Sequence, residues 1–145
     1  MARKDFYHDN VKRALMKDGW RITHEPLKLP FLNSKLKLDI GAERFEVNKG
    51  NVKMKIAVEV KNFRERKDYA NEFEKAVGQV TTYKRLLRRF EPDRDTFLAI
   101  SVEAYEKVFS DPDIRDIVTD SNIKLVVFDP ASDTIKKWNA EKWNT

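Results

Sequence analysis

The chain has 145 residues, 41% apolar and 37% charged, with 29 Lys and Arg against 24 Asp and Glu for a net charge of +5 and a sequence pI near 9.3. That length suits one domain over residues 1–145, able to bury roughly two-thirds of the surface its unfolded form exposes. The absence of cysteine excludes disulfides and thiolate-bound zinc, and apolar runs such as Phe97-Leu98-Ala99-Ile100 are too short to cross a bilayer. Met1-Ala2-Arg3-Lys4-Asp5 lacks the apolar core of a secretion signal, so a cytoplasmic location without a membrane is the expectation. The basic balance favours a polyanionic partner without identifying one.

Phe6, Val11, Ala14 and Leu15 recur at helical spacing and Gly19 follows where a helix stops, which predicts a first helix from about Lys4 to Asp18. Trp20-Arg21-Ile22-Thr23 reads as extended, and Pro26 and Pro30 as punctuation of a loop. Three strands are predicted next, about Leu36 to Ile40, Arg44 to Val47 and Lys53 to Lys61. Asn48-Lys49-Gly50-Asn51 supplies the turn between the last two. Tyr69, Phe73, Ala76, Val80, Tyr83, Leu87 and Phe90 step by four and three, predicting a long amphipathic helix from Asp68 to Phe90 that Pro92 ends. Thr96 to Val102 reads as a central strand, apolar on both faces. Strand, helix and strand in this order predict a right-handed crossover between parallel strands, with the Lys53 to Lys61 strand mid-sheet. Short helices about Ala104 to Phe109 and Ile114 to Val118, a core strand Ile123 to Phe128 and an edge strand Thr134 to Trp138 complete the chain.

The chemistry concentrates on Ile56-Ala57-Val58-Glu59-Val60-Lys61. Ile56, Val58 and Val60 are β-branched at a spacing of two and form a buried face, so Ala57, Glu59 and Lys61 share the other. Same-face residues two apart have roots roughly 7 Å apart, and a carboxylate and an ammonium at that spacing can reach one bound ion or phosphate. Leu36-Lys37-Leu38-Asp39-Ile40 repeats the alternation and sets Asp39 opposite its own apolar face, adding a second carboxylate from a neighbouring strand. The ordinary reading of the same residues is an ion pair of Glu59 with Lys61 or with a lysine of the next strand.

Asp39 followed after nineteen residues by Glu59-Val60-Lys61 resembles the active-site signature of the PD-(D/E)XK nuclease-like superfamily, although Leu38 stands where the signature has proline. A closer resemblance covers nearly the whole chain. Asp18-Gly19-Trp20 with Ile22-Thr23, Asp39-Ile40-Gly41-Ala42-Glu43, Ile56-Ala57-Val58-Glu59-Val60-Lys61-Asn62-Phe63, Ala76-Val77-Gly78-Gln79 and Val127-Phe128-Asp129-Pro130 together resemble the XisH family. That family is named for factors controlling excision of the fdxN DNA element. The resemblance implies an α/β restriction-endonuclease-like fold, a mixed central sheet flanked by helices with core order helix, strand, strand, strand, helix, strand.

It also implies a Mg²⁺ (or Mn²⁺) site held by Asp39 and Glu59, with the Val60 carbonyl as a third ligand, since hard oxygen donors suit such ions. Lys61 then orients the attacking water or neutralises the phosphate, and its protonation is not assigned by the sequence. Gln79 on the long helix either supports the site or is a solvated glutamine. Lys84, Arg85, Arg88 and Arg89 at that helix's end either contact DNA phosphates or complement the helix dipole. Glu43 reads as an outer acid or a loop charge; His8 and His24 have no ligand-spaced partner.

By resemblance the partners are DNA, an XisI-like protein and a site-specific recombinase, with a homodimer attractive if both strands of a duplex are cut. The alternatives are a non-catalytic DNA-binding or adaptor subunit assisting the recombinase, and an interaction subunit docking through the long helix's seam or through Trp138 and Trp143.

Overall fold

The computed structural model describes residues 6–45 and 53–139. Its central strand is the β-branched run singled out above: β5 (Lys53–Val60) is third in a six-stranded mixed sheet of order β1-β4-β5-β6-β7-β8. The others are β1 (Arg21–His24), β4 (Ile40–Phe45), β6 (Arg94–Ser101), β7 (Lys124–Asp129) and β8 (Thr134–Asn139). β5, β6 and β7 run parallel, and the outer pairings are antiparallel. Helices cover both faces, as expected of the α/β class.

Side-chain alternation assigns the faces. Ile56, Val58 and Val60 pack with Val11, Ala14 and Leu15 of α1 (His8–Lys17), together with Phe97 and Phe128. Ala57, on the opposite side, packs with Tyr83 and Leu87 of α2 (Tyr69–Phe90), the 22-residue crossover helix between β5 and β6. Phe73, Ala76 and Val80 of the same helix meet Leu98 and Ile100 of β6 beneath α3 (Val102–Lys107) and α4 (Pro112–Asp120). The two short helices start on side-chain caps, Ser101 accepting from the Ala104 N–H and Asp111 from the Asp113 and Ile114 N–H groups.

Three expectations change. Five strands, not three, lie between α1 and α2, because the segment read as a proline loop is a hairpin of β2 (Leu27–Phe31) with β3 (Ser34–Leu38), a separate two-stranded sheet. Pro30 is tolerated there because β2 has a single neighbour and its outer edge needs no N–H donor. Second, Leu36 to Ile40 is not one strand. Leu38 is buried with Leu27, Leu29 and Tyr83 on the α2 side and Ile40 with Val11 and Trp20 on the α1 side, so the chain changes sheets at Asp39. Third, Arg44 begins no strand of its own and lies within β4. Val47 and the Asn48 to Asn51 turn, like Lys4 and Asp5 of the first helix, lie outside the described residues.

α1 is tied by polar contacts to the loop after β1 and to the turn before β8. His8 Nε2 and Lys12 Nζ lie 2.6 and 2.8 Å from the Glu25 carboxylate, while Asn10 and Arg13 donate to Asp133 at 2.8 and 2.6 Å. Lys12 and then His8 hold the Glu25 carboxyl below its ordinary value, and Arg13 and Asn10 do the same for Asp133. A lowered carboxylate pKa contributes stability above the ordinary value, and that contribution is lost as pH falls through the lowered one. Acidification below about pH 4 is therefore expected to release α1 first, seen as faster amide exchange over His8–Lys17 than in α2.

Candidate active site

The break between β3 and β4 creates the site. Residue 38 would be the next partner of β5, yet Leu38 belongs to the hairpin, so the Val60 N–H emerges from β5 without a ladder acceptor. Asp39, at the bend, takes its place: its Oδ2 accepts from the Val60 N–H at 2.8 Å. In return Glu59 Oε1 accepts from the Asp39 N–H at 3.3 Å. Each acid thus fixes the backbone beside the other, and the two carboxylates converge where the central strand ends.

Glu59 is only 4% exposed. Lys61, one residue past β5 and tied to β6 by its N–H to the Ala99 carbonyl at 3.1 Å, sets Nζ 3.8 Å from Glu59 Oε2. Because N–H and C=O of one strand residue leave on the same side, the Val60 carbonyl points the way its N–H does, toward Asp39. Tyr83 roofs the cluster from α2, donating its hydroxyl to the Lys37 carbonyl at 3.1 Å. Burial, then the charges of Glu59 and Asp39, push its phenol pKa upward, so it stays a neutral donor. Gln79 stands one turn earlier on the same helix stripe. Its Oε1 is a buried acceptor with no donor among the described residues.

The structure therefore gathers Asp39, Glu59, Val60 and Lys61, with Tyr83 above them and Gln79 a helical turn away. Lys84, Arg85, Arg88 and Arg89 belong elsewhere. α2 returns from the carboxyl end of β5 to the start of β6, and the ten residues from Gln79 to Arg89 carry the chain about 15 Å further. Lys84 donates to the Ser121 and Asn122 carbonyls at 3.3 and 2.7 Å, capping the end of α4. Its pKa is lowered by burial, then by Lys124 and Arg88. Arg85 and Arg88 are exposed, and Arg89 lies over the Phe90 ring, 5.2 Å from its centroid.

Glu43 is no loop charge: it lies within β4, 3.6 Å from Arg94 Nη2. His8 is buried against Glu25 with its Nδ1 lacking a partner among the described residues, and His24 Nδ1 lies 2.9 Å from the Thr23 hydroxyl. The seam of α2 is covered by the chain's own sheet, and Trp138 packs on Trp20 and Phe97, with centroids 5.7 and 5.0 Å away. Trp143 lies outside the described residues. Tyr83 escaped the sequence reading because its spacing marks it only as an apolar seam residue. Its hydroxyl, one of two tyrosine hydroxyls on that seam with that of Tyr69, was the available signal.

Fold and site together describe an α/β protein with two carboxylates and a lysine clustered at the carboxyl end of its central strand. The chain belongs to the XisH family, which it matches over residues 1–136. It is similar to the crystal structure of an XisH family protein from Nostoc punctiforme, with 38% identity, 94% of this chain and 100% of that one covered and a TM-score of 0.83. It is equally similar to an fdxN element excision controlling factor protein from Anabaena variabilis, at 38% identity, the same coverage and a TM-score of 0.84. No match is found among functionally curated proteins. Among the described residues no helix is long and apolar enough to cross a membrane.

Proposed function

We propose that this chain helps control excision of a DNA element, as the similar Anabaena protein is described to do, and that it acts through a Mg²⁺-dependent phosphodiester-hydrolysing site of the PD-(D/E)XK type. The observation that carries the reading is the reciprocal clasp of Asp39 and Glu59 beside Lys61. An ordinary ion pair needs one acid, whereas here a buried one, Glu59, is brought against a half-buried second, Asp39, an arrangement that costs stability unless a cation or a substrate uses it.

The donor set fits a hard divalent ion: two carboxylates and the Val60 carbonyl present oxygens only. Asp39, Glu59 and Val60 would hold Mg²⁺ (or Mn²⁺), which when bound supplies charge neutralisation at the phosphate and acidifies water. Lys61 orients the attacking water or meets the phosphate charge. Gln79 offers the nearby buried acceptor for a water hydrogen, and Tyr83 holds the Asp39 backbone through Lys37. An XisI-like protein and a site-specific recombinase are the proposed partners, and cutting both strands of a duplex would call for a homodimer.

Calorimetric titration of Mg²⁺ and Mn²⁺ into the metal-free protein, Asp39→Ala and Glu59→Ala tests this. Binding to the wild type that falls at least about tenfold in both variants, with cleavage of duplex DNA lost in parallel, is the expected result. No binding by the wild type, even with DNA present, would replace it with the adaptor reading.

A further inference from the structure

The β2–β3 hairpin carries an outer face that the fold does not use. Leu27, Leu29 and Leu38 pack inward with Tyr83 and Leu87 of α2, and Leu36 packs against them. The alternate positions Lys28, Lys35 and Lys37 are exposed. Lys28 is the direct cross-strand partner of Lys37, and like charges so opposed, with roots about 5 Å apart, destabilise a ribbon. Lys35 follows on the same face about 7 Å from Lys37. None of the three makes an ion pair with a described residue.

The tip is equally unprofitable for the free protein. Phe31 pairs with Ser34 across a two-residue turn of Leu32 and Asn33, with φ of 49° and 60°. Asparagine suits that left-handed backbone, but leucine does not. Leu32 is 82% exposed and Phe31 37%. A strained leucine facing water on a ribbon of mutually repelling lysines is explained by neither packing nor turn chemistry. The ribbon also ends at Asp39, two residues beyond Lys37.

Building on the active-site reading, we propose that this hairpin is a duplex-DNA grip: Lys28, Lys35 and Lys37 follow the phosphates while Phe31 and Leu32 enter the minor groove as an apolar wedge. Two same-face strand positions cover about 7 Å, which is twice the 3.4 Å charge spacing along one DNA strand. Apolar wedges in the minor groove unstack base steps and kink the duplex toward the major groove, which opens the minor-groove side to the protein. The grip is independent of sequence, and it presents the bent backbone to the acid at the ribbon's base.

The test is fluorescence anisotropy of the full chain with a mixed-sequence duplex of about 30 base pairs, in EDTA so that no cleavage is involved. Replacing Lys28, Lys35 and Lys37 together by alanine is expected to lower the slope of log affinity against log salt by roughly 2 to 3, with the circular dichroism spectrum unchanged. Leu32→Asn is expected to raise the melting temperature while abolishing the 2-aminopurine fluorescence gain on binding. An unchanged salt slope in the triple variant, full unstacking by Leu32→Asn, or binding to anionic vesicles without binding to duplex would each overturn the proposal. Because these readouts need no hydrolysis, a wild type that grips DNA without cutting it would defeat the catalytic reading alone. Unimpaired cleavage and affinity in the triple variant would defeat the grip alone.

Discussion

Glu59→Gln is expected to raise the unfolding temperature and, in the same protein, to cut the proposed Mg²⁺-dependent cleavage by about 100-fold or more. The two effects have one cause. Glu59 is 4% exposed, and the Lys61 ammonium 3.8 Å from its Oε2 is a loose contact beside the short, forked pairs that offset desolvation. Asp39 lies against the same site, so a second negative charge repels it. Glutamine keeps the shape and keeps an oxygen for the Asp39 N–H while removing the charge, which should stabilise by about 1 kcal/mol, or about 3 °C in a chain of this size. The competing term is Lys61, which loses its carboxylate, although with 14% of its side chain exposed it retains some water. A fall of several degrees would identify Glu59 as a structural partner of Lys61 and remove the main support for a hydrolytic site. Calorimetric melting and a plasmid-cleavage assay on the same preparation decide it.

How much of this the sequence carries depends on whether the deciding contact is local. The facing of β5 is legible because Ile56, Val58 and Val60 are buried together against α1 and leave Glu59 on the other side, a rule of period two that no tertiary detail alters. The seam of α2 is legible for the same reason at period 3.6. Asp39 does lie beside Glu59, but not by the alternation that pointed to it. Leu36, Leu38 and Ile40 look like one apolar face, whereas Leu38 and Ile40 are buried on opposite sides of the main sheet and the acid is presented by the bend between them. Alternation cannot reveal a change of sheet, because both halves alternate. The hairpin is missed because Pro26 and Pro30 outweigh the Leu-Lys alternation on each side of Leu32 and Asn33, and proline is compatible with a strand that has an open edge. The Lys84, Arg85, Arg88 and Arg89 cluster is visible as composition, but its distance from the acids is set by the direction in which the crossover helix returns. Arg94 shows the reverse case, a cation next to the Pro92 break whose sequence surroundings suggest exposure and whose side chain is buried.

Replacing that arginine should have a large effect on stability. Arg94 is 4% exposed at the first position of β6. Nη1 donates to the Ile56 carbonyl at 2.9 Å and the Ala42 carbonyl at 3.4 Å, two residues that are themselves cross-strand partners. Nε and Nη2 meet the two oxygens of Glu91 at 3.3 and 3.2 Å, and Nη2 lies 3.6 Å from Glu43. One guanidinium thus ties β4, β5 and the turn before β6. Arg94→Ala deletes the charge, the donors and the volume together, and truncating a buried, hydrogen-bonded ion of this kind costs about 3 to 5 kcal/mol, or on the order of 10 °C. Arg94→Met refills the volume but leaves Glu43 and Glu91 facing each other across it, so it should recover little alone. Adding Glu43→Gln and Glu91→Gln to Arg94→Met removes the two carboxylates that the guanidinium met and should restore most of the loss, because a neutral, well-packed replacement of a buried ion cluster is often tolerated. Failure of that rescue in urea unfolding would mean that the carbonyl contacts, and not the charges, carry the energy. The consequence would reach the site, since Ala42 and Ile56 set the register of the strands whose far ends carry Asp39 and Glu59.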